Sequence, residues 1–245
     1  MSHHAHIASA LTAAWSALWP PRCPLCGEAL AEPDRFCPGC LLSVTAVVQP
    51  SCLVCGGELD PAVAPADRVC GRCKYEPPSF AAARAFGRYD GALAEAIKGL
   101  KFRDHRHLLP ALQRLIAEAD ATHYPDRAFD AIIPVPLHRS RVAERGFNQA
   151  TDLARAIARR RGLPLLSSAV IRRKNTKPQY GLNLKERRRN VEGAFKVMQP
   201  TKVRDRRVLL VDDVMTTGAT VNECARVLMR AKAAEVCVLT VARAV

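Results

Sequence analysis

The sequence predicts an α/β protein in which a parallel sheet with flanking helices follows a small cysteine-rich module. Three observations carry this reading. Four C-x-x-C pairs crowd into residues 23–73 of the 245-residue chain. After Pro77-Pro78, short apolar runs alternate with stretches of helical length, the pattern of strands joined by crossover helices. One of those runs, VLLV at 208–211, ends on two adjacent aspartates and a loop of threonine and glycine. At about 150 residues per domain, the length suits one large domain and one small one. The expected organisation is an N-terminal helix over 1–20, the cysteine module over 21–76, and the α/β domain over 79–245.

Ile7, Leu11, Trp15 and Leu18 recur at helical spacing and Pro20-Pro21 closes the run, so 1–20 reads as an amphipathic helix. It lacks a Lys/Arg-rich start and a small-residue cleavage site, so it does not read as a secretion signal. No apolar run reaches the ~18–20 residues that span a bilayer, which argues against an integral membrane segment. The expected setting is the cytoplasm. There thiols stay reduced, and clustered cysteine pairs are metal ligands rather than disulfides.

The pairs are Cys23/Cys26, Cys37/Cys40, Cys52/Cys55 and Cys70/Cys73. Each C-x-x-C makes a tight turn whose N–H groups can point at the thiolates, and Gly27 and Gly56 suit the positive φ such turns need. Four thiolates satisfy a tetrahedral zinc ion. Ten residues separate the first two pairs and 14 the last two, room for a hairpin return in each. The expected sites are therefore Cys23, Cys26, Cys37 and Cys40, then Cys52, Cys55, Cys70 and Cys73. A cross-braced pairing is the alternative, and an iron–sulfur cluster is the rival to zinc. A closed four-cysteine site has no open position for water, so its expected role is structural. Cys224 and Cys237 stand alone and read as buried packing residues.

In the α/β region, strands are expected at 84–89, 131–135, 208–211 and 236–242, and helices at 91–100, 108–119, 148–161 and 219–231. The stretch 174–190 has many charges and no clean period, and reads as a mobile loop or arm. Hydrophobic residues at 49% can form a core and charged residues at 24% are ordinary, which excludes collagen-like, low-complexity and wholly disordered chains. The net charge of +14 is uneven. Residues 1–78 hold 5 Lys/Arg against 7 Asp/Glu, whereas residues 159–207 hold 16 against 3. Arg172, Arg173, Lys174, Lys185, Arg187, Arg188 and Arg189 are the densest part, and such a block suits the phosphates of a nucleic acid. A solvated basic surface is the plain alternative, and the scarcity of aromatics in the block gives little support for base stacking.

The run Asp212-Asp213-Val214-Met215-Thr216-Thr217-Gly218-Ala219-Thr220 is the most informative. A strand delivers two carboxylates, a small-residue loop follows, and a helix begins. Loop and helix N–H groups suit a phosphate dianion, Gly218 lets the backbone approach closely, and the two acids can accept from ribose hydroxyls and help hold Mg²⁺. A strand ending in an N-capping Asp is the bland reading, which the doubled acid and TTGAT tail outweigh.

This run closely resembles the binding signature for 5-phosphoribosyl 1-diphosphate (PRPP) of type I phosphoribosyltransferases. Residues 133–139 through 145–149 look like the first sheet strand and the pyrophosphate loop. Residues 177–182, with Arg187, Asn190, Val191, Gly193, Ala194 and Phe195, resemble the flexible active-site loop and the strand after it. With the cysteine array in front, the chain from about Pro21 to Arg243 resembles the ComF family of competence-associated proteins. The resemblance implies a type I phosphoribosyltransferase fold behind a double zinc ribbon. It implies that Asp212 and Asp213 contact the ribose, that 215–220 cradles the 5-phosphate, and that Leu137, His138 and Arg139 approach the pyrophosphate. Arg139, Arg141 and Arg145 are candidates to neutralise it. Lys98 and Lys101 either reach the same pocket or sit on a solvated helix face.

If chemistry occurs, the resemblance implies displacement of Mg-pyrophosphate at ribose C1, with Asp212 and Asp213 holding the sugar. No segment reads as a pocket for the incoming nucleophile. The expected function is a PRPP-binding accessory factor of DNA uptake that binds single-stranded DNA, with uptake helicase or recombination proteins as partners. The alternatives are an active phosphoribosyltransferase with an unknown acceptor, and a zinc-dependent adaptor with a vestigial site.

Overall fold

In the computed structural model of the protein, the described residues are 20–176 and 183–244. The expected helix over 1–20, apart from Pro20, and the segment 177–182 lie outside them. The cysteine module contributes two one-turn helices, α1 (Pro38–Leu42) and α2 (Gly71–Tyr75). There follow β1 (Ala82–Arg88), α3 (Gly91–Phe102), α4 (Leu109–His123), β2 (Ala131–Pro134), α5 (Arg139–Arg145), α6 (Gln149–Arg161) and β3 (Val170–Arg172). The chain continues with α7 (Leu184–Val191), β4 (Phe195–Val197), α8 (Pro200–Val203), β5 (Arg207–Met215), α9 (Ala219–Arg230) and β6 (Glu235–Arg243).

The main sheet has the order β1-β6-β5-β2 and every pairing is parallel. The apolar runs at 208–211 and 236–242 become its two central strands. Both of their faces are covered, so they read as continuous rather than alternating. One face packs against α3, α4 and α6 through Leu93, Ile97, Leu112, Ile116, Leu153 and Ile157. The other packs against α9 and the small antiparallel β3–β4 sheet through Val221, Cys224, Leu228, Val170 and Phe195. The lone cysteines Cys224 and Cys237 are fully buried here.

The edge strand β1 is not left open. The Ala83 N–H donates to the Val54 carbonyl at 2.8 Å and the Arg88 N–H to the Thr45 carbonyl at 2.8 Å. The cysteine module thus covers the row of backbone groups that an edge strand otherwise presents to any passing chain.

Several elements differ from expectation for local reasons. The strand expected at 208–211 extends to Met215, because β6 continues to pair beyond the apolar run: Asp212 lies opposite Thr240 and Met215 opposite Arg243. Aspartate's poor strand propensity made the run look finished too early. Residues 184–191, expected within a mobile arm, form α7. A full capping box fixes it: the Glu186 N–H donates to the Asn183 side chain and the Asn183 N–H donates to Glu186. Helix α5 is short and was hidden by its charge; the His138 side chain caps it and Gly146 ends it at φ +80°.

Part of the basic block also faces inward. Asp120 is fully buried and accepts from Arg161 Nε at 2.8 Å and Nη2 at 2.8 Å, with Arg160 at 3.1 Å. A buried carboxylate stripped of its main partner is expensive. Arg161→Met is therefore expected to lower stability by about 3 kcal/mol in urea unfolding. A loss under about 1 kcal/mol would mean that this arginine belongs to the solvated surface after all.

Candidate functional site

The eight module cysteines fall into two groups in chain order. Cys23, Cys26, Cys37 and Cys40 have their sulfurs within 4.8 Å of one another, as do Cys52, Cys55, Cys70 and Cys73. The geometry excludes the cross-braced alternative. Zinc–sulfur bonds of about 2.3 Å in a tetrahedron put sulfurs about 3.8 Å apart. The separations are 3.8 Å for Cys23–Cys40, 3.6 Å for Cys26–Cys37 and 3.8 Å for Cys55–Cys70. The residues present therefore fit two tetrahedral metal ions of a double zinc ribbon. Burial acts to raise the Cys23 thiol, but N–H groups of Cys37, Cys26 and Leu25 oppose it and bring it down to about 7. Cys52 is likewise lowered to about 7, against burial, by the N–H groups of Cys70, Cys55 and Val54. The N–H groups of the turns thus favour the thiolate at these two positions only. Cys37 is raised to about 11, chiefly by its contact with the Glu28 carboxyl, and burial raises Cys40, Cys55 and Cys73, so it is the bound metal ion that would make the full set of thiolates favourable.

The second site lies at the carboxyl end of β5, where ligands of open α/β sheets bind. A cavity of about 1010 Å³ opens there. Side chains alternate along a strand, so the two acids leave β5 toward opposite faces. Asp213 lies on the α3 face, where the Lys101 Nζ stands 2.8 Å from its Oδ1. The other oxygen, Asp213 Oδ2, is buried without a partner. Asp212 lies toward β3 and accepts from the Asp213 N–H at 2.9 Å. Burial raises its carboxyl to about 7, the neighbouring Asp213 adds to this, and Lys101 and Arg172 act against it. Burial lowers the Lys101 ammonium, but the two aspartates more than compensate and its pKa lies above the usual lysine value. The cluster is thus held in tension: two adjacent acids repel each other beside Lys101 and Arg172 in a place that water barely screens.

The loop follows directly. Thr216, Thr217, Gly218 and Thr220 all line the cavity. Gly218 sits at φ +77° and forms the N-cap of α9 without a side-chain bond of its own; the Thr217 hydroxyl accepts from the Ala219 N–H at a long 3.4 Å, a weak hold on the helix's first turn, the place where anions bind. The Arg187 Nη1 donates to the Thr216 hydroxyl at 2.9 Å. From the cysteine module, the Arg72 guanidinium donates to the Thr217 carbonyl.

Of the residues singled out in the sequence, Asp212–Thr220, Leu137, His138, Arg141, Arg145, Lys101, Arg172 and Arg187 all line this cavity. Arg139 is exposed and stands outside the lining. Lys98 also stays outside, paired with Glu95 at 3.0 Å. Lysines three residues apart on α3 thus split between the pocket and the solvent. Among the basic segment, Arg172 lies in the cavity wall, with Nε buried and unpartnered. Arg188 pairs with Glu76 at 2.5 Å, while Arg173, Lys174, Lys185 and Arg189 are exposed. Glu58, Arg72, Arg243 and Phe102 are among the cavity residues that escaped the sequence reading. Phe102 is 74% exposed with the Arg145 guanidinium 5.9 Å from its ring centre. A phenylalanine ending an amphipathic helix carries no signal that separates a rim residue from a core one.

Comparison with known proteins agrees with this geometry. Residues 14–74 match the double zinc ribbon domain and residues 102–244 match the phosphoribosyl transferase domain. The molecule is thus a phosphoribosyltransferase-fold protein carrying a double zinc ribbon. Competence protein F of Haemophilus influenzae is 35% identical over 229 residues, covering 91% of this chain and 97% of its own. DNA utilization protein YhgH of Escherichia coli K12 is 32% identical over 221 residues, covering 87% of this chain and 86% of its own. Competence protein ComFC of Bacillus subtilis is 30% identical over 161 residues, 65% of this chain and 63% of its own. The chain belongs to the ComF family.

Two outcomes are expected. Native mass spectrometry should count two zinc ions per chain, falling to one in Cys26→Ser; a count unchanged by that substitution would contradict the first site. Because Asp212 is raised in the fold above its ordinary value of 3.8, the folded state binds the extra proton between about pH 4 and pH 7, and stability falls as pH rises through that window. Asp212→Asn should stabilise the unliganded protein by about 2 kcal/mol more at pH 8 than at pH 5, the part of that window lying between the two. Equal effects at both pH values would mean that the acid is not strained.

Proposed function

We propose that the cavity binds PRPP with Mg²⁺, and that the protein serves as a cytoplasmic accessory factor of DNA uptake that handles single-stranded DNA. One observation carries the first part: the twin acids at the end of β5 and the phosphate-type loop that directly follows the strand open into one cavity. In this reading Asp212 and Asp213 accept from the ribose hydroxyls, and the Thr216–Thr220 loop receives the 5-phosphate. Arg141 and Arg145 meet the diphosphate, where guanidinium forks match phosphate oxygens. Mg²⁺ prefers hard oxygen donors; Asp213, with one buried oxygen unpartnered, fits it and the ligand's phosphates complete the set. The ion's contribution would be to neutralise the diphosphate. Lys101, 2.8 Å from its Oδ1, holds Asp213 aimed before ligand arrives.

The names of the relatives, competence and DNA utilization proteins, support the second part. So do the exposed cations Arg173, Lys174, Lys185 and Arg189, which suit a phosphate backbone without base recognition. The uptake helicase and recombination proteins are the partners this role implies. Among the described residues, no helix is long and apolar enough to cross a membrane.

Transfer of the phosphoribosyl group to an acceptor is a second reading. It is favoured by the cavity's reach past the acids to Tyr89, Phe102 and Glu58, space a bound PRPP need not fill. A pyrophosphate-release assay over nucleobases, ammonia and glutamine decides it: silence across the panel counts against transfer.

Calorimetry with PRPP and Mg²⁺ is expected to show one site per chain, weakened at least a hundredfold in Asp212→Asn/Asp213→Asn, since buried charged partners are lost. No binding to the wild type would leave a zinc-dependent adaptor with a vestigial site as the better account. Single-stranded DNA should bind with an affinity that falls steeply with salt, and Lys185→Glu/Arg189→Glu should weaken it about tenfold and flatten the salt slope. Unchanged binding would remove this face from the DNA path.

A further inference from the structure

We propose that the second cysteine site is a working part of the ligand pocket: the metal held by Cys52, Cys55, Cys70 and Cys73 sets the shape of the phosphate loop through Arg72 and Arg243. The first site does not share this role. Two independent contacts run from the second ribbon to the loop.

The first is Arg72. It stands between two metal ligands, Cys70 and Cys73, on α2. Its guanidinium donates to the Thr217 carbonyl, 145 residues away in sequence. A trans peptide is planar, with its C=O and N–H on opposite sides. Holding the Thr217 carbonyl therefore fixes the direction of the Gly218 N–H, at the position where the loop turns into α9. Gly218 has a positive φ and no side chain of its own to anchor it, and the Thr217 hydroxyl accepts from the Ala219 N–H only at 3.4 Å, so without the Arg72 hold the peptide plane rocks more freely. Arg72 also lines both the main cavity and a neighbouring one of about 500 Å³ that shares Met215, Thr217, Gly218 and Ala219 with it.

The second is Arg243 at the end of β6. It pairs in register with Met215, where the loop begins, and the Ala244 N–H donates to the Met215 carbonyl at 3.0 Å. Its side chain is 8% exposed, with Nε and Nη1 buried and without partners. Nη2 points to the Cys55 sulfur at 3.7 Å. A buried guanidinium needs an anion. Four thiolates around a divalent ion leave a net charge of two negative units beside it, which is the counter-charge the site supplies once loaded. Gly57 keeps this approach open, for a Cβ there would lie 3.1 Å from Nη2.

The first site differs in every respect. Cys23, Phe36 and Cys37 pack into the core with Leu93 and Ile97 of α3 and Leu112 of α4, and none of its ligands lines either cavity. The protein thus carries its own control.

The affinity part of the test rests on the PRPP reading; the exchange part does not. Amide hydrogen exchange of the 214–220 segment, measured without ligand, is compared in wild type, Arg72→Met, Arg72→Lys, Cys55→Ser and Cys26→Ser, with metal content by mass spectrometry. Arg72→Met should keep both metal ions, speed loop exchange about tenfold and weaken PRPP about tenfold, the scale of one charged hydrogen bond. Arg72→Lys should restore part of both. Cys55→Ser should lose one ion and loosen the loop, while Cys26→Ser should lose one ion and leave the loop as it was. Loop exchange unchanged in Arg72→Met overturns the proposal, as does equal loosening in Cys26→Ser. If wild type fails to bind PRPP yet Arg72→Met still loosens the loop, the ligand reading falls and the coupling stands.

Discussion

The ion pair between Lys101 and Asp213 is the contact on which the rest of the site depends. Two neighbouring carboxylates at the end of a central strand repel each other and lose most of their hydration. Strand alternation relieves part of this by sending them to opposite faces, where each meets a different cation: Lys101 from α3 for Asp213, and Arg172 from β3 toward Asp212. Neither cation neutralises its acid fully. One oxygen of Asp213 and one nitrogen of Arg172 stay buried and unpaired. Such residual cost is ordinarily removed by selection unless a ligand collects it, and the open cavity gives that ligand access. The frame around the cluster is correspondingly stiff: β5 is buried on both faces over 208–211 and β6 over 236–243.

The zinc ribbons follow from the same sheet. A parallel sheet ending in β1 has an exposed edge, and the module closes it with the Thr45 and Val54 carbonyls, which accept from the backbone N–H groups of Arg88 and Ala83. A module this small has little apolar content of its own, so its shape comes from metal coordination. Once in place, its second half reaches the cavity and its first half joins the core. Two units that look like repeats in sequence therefore do different work, because one contacts a loop and the other a helix pair.

Much of this was legible in the residues. The C-x-x-C spacing gave the sequential metal sites, because hairpin-length gaps close locally. Strand and helix order after residue 79 was readable because the central strands are apolar throughout and α6 repeats Leu153, Ile157 and their neighbours at helical spacing. Asp212-Asp213 with TTGAT marked where a strand ends, a loop opens into the cavity and a helix begins. What stayed hidden shares one cause: it depends on which distant groups meet. Lys101 and Lys98 are alike in sequence, and only the end of α3 against β5 separates them. Arg172 and Arg161 read as surface charge, yet each faces buried acid across the fold. Arg72 reads as filler between two ligands until Thr217 is brought beside it. Helix α7 was missed because its charge masks a pattern whose real signal is the Asn183/Glu186 cap.

The central claim is that the acids and the loop grip one phosphoribosyl ligand. The most direct measurement is a crystal structure of the protein soaked with PRPP and Mg²⁺. Ribose hydroxyls are expected against Asp212 and Asp213, the 5-phosphate against Thr216–Thr220, and the diphosphate toward Arg141 and Arg145. Density for the diphosphate elsewhere, or acids still locked on Lys101 and Arg172 with the loop empty, would contradict it.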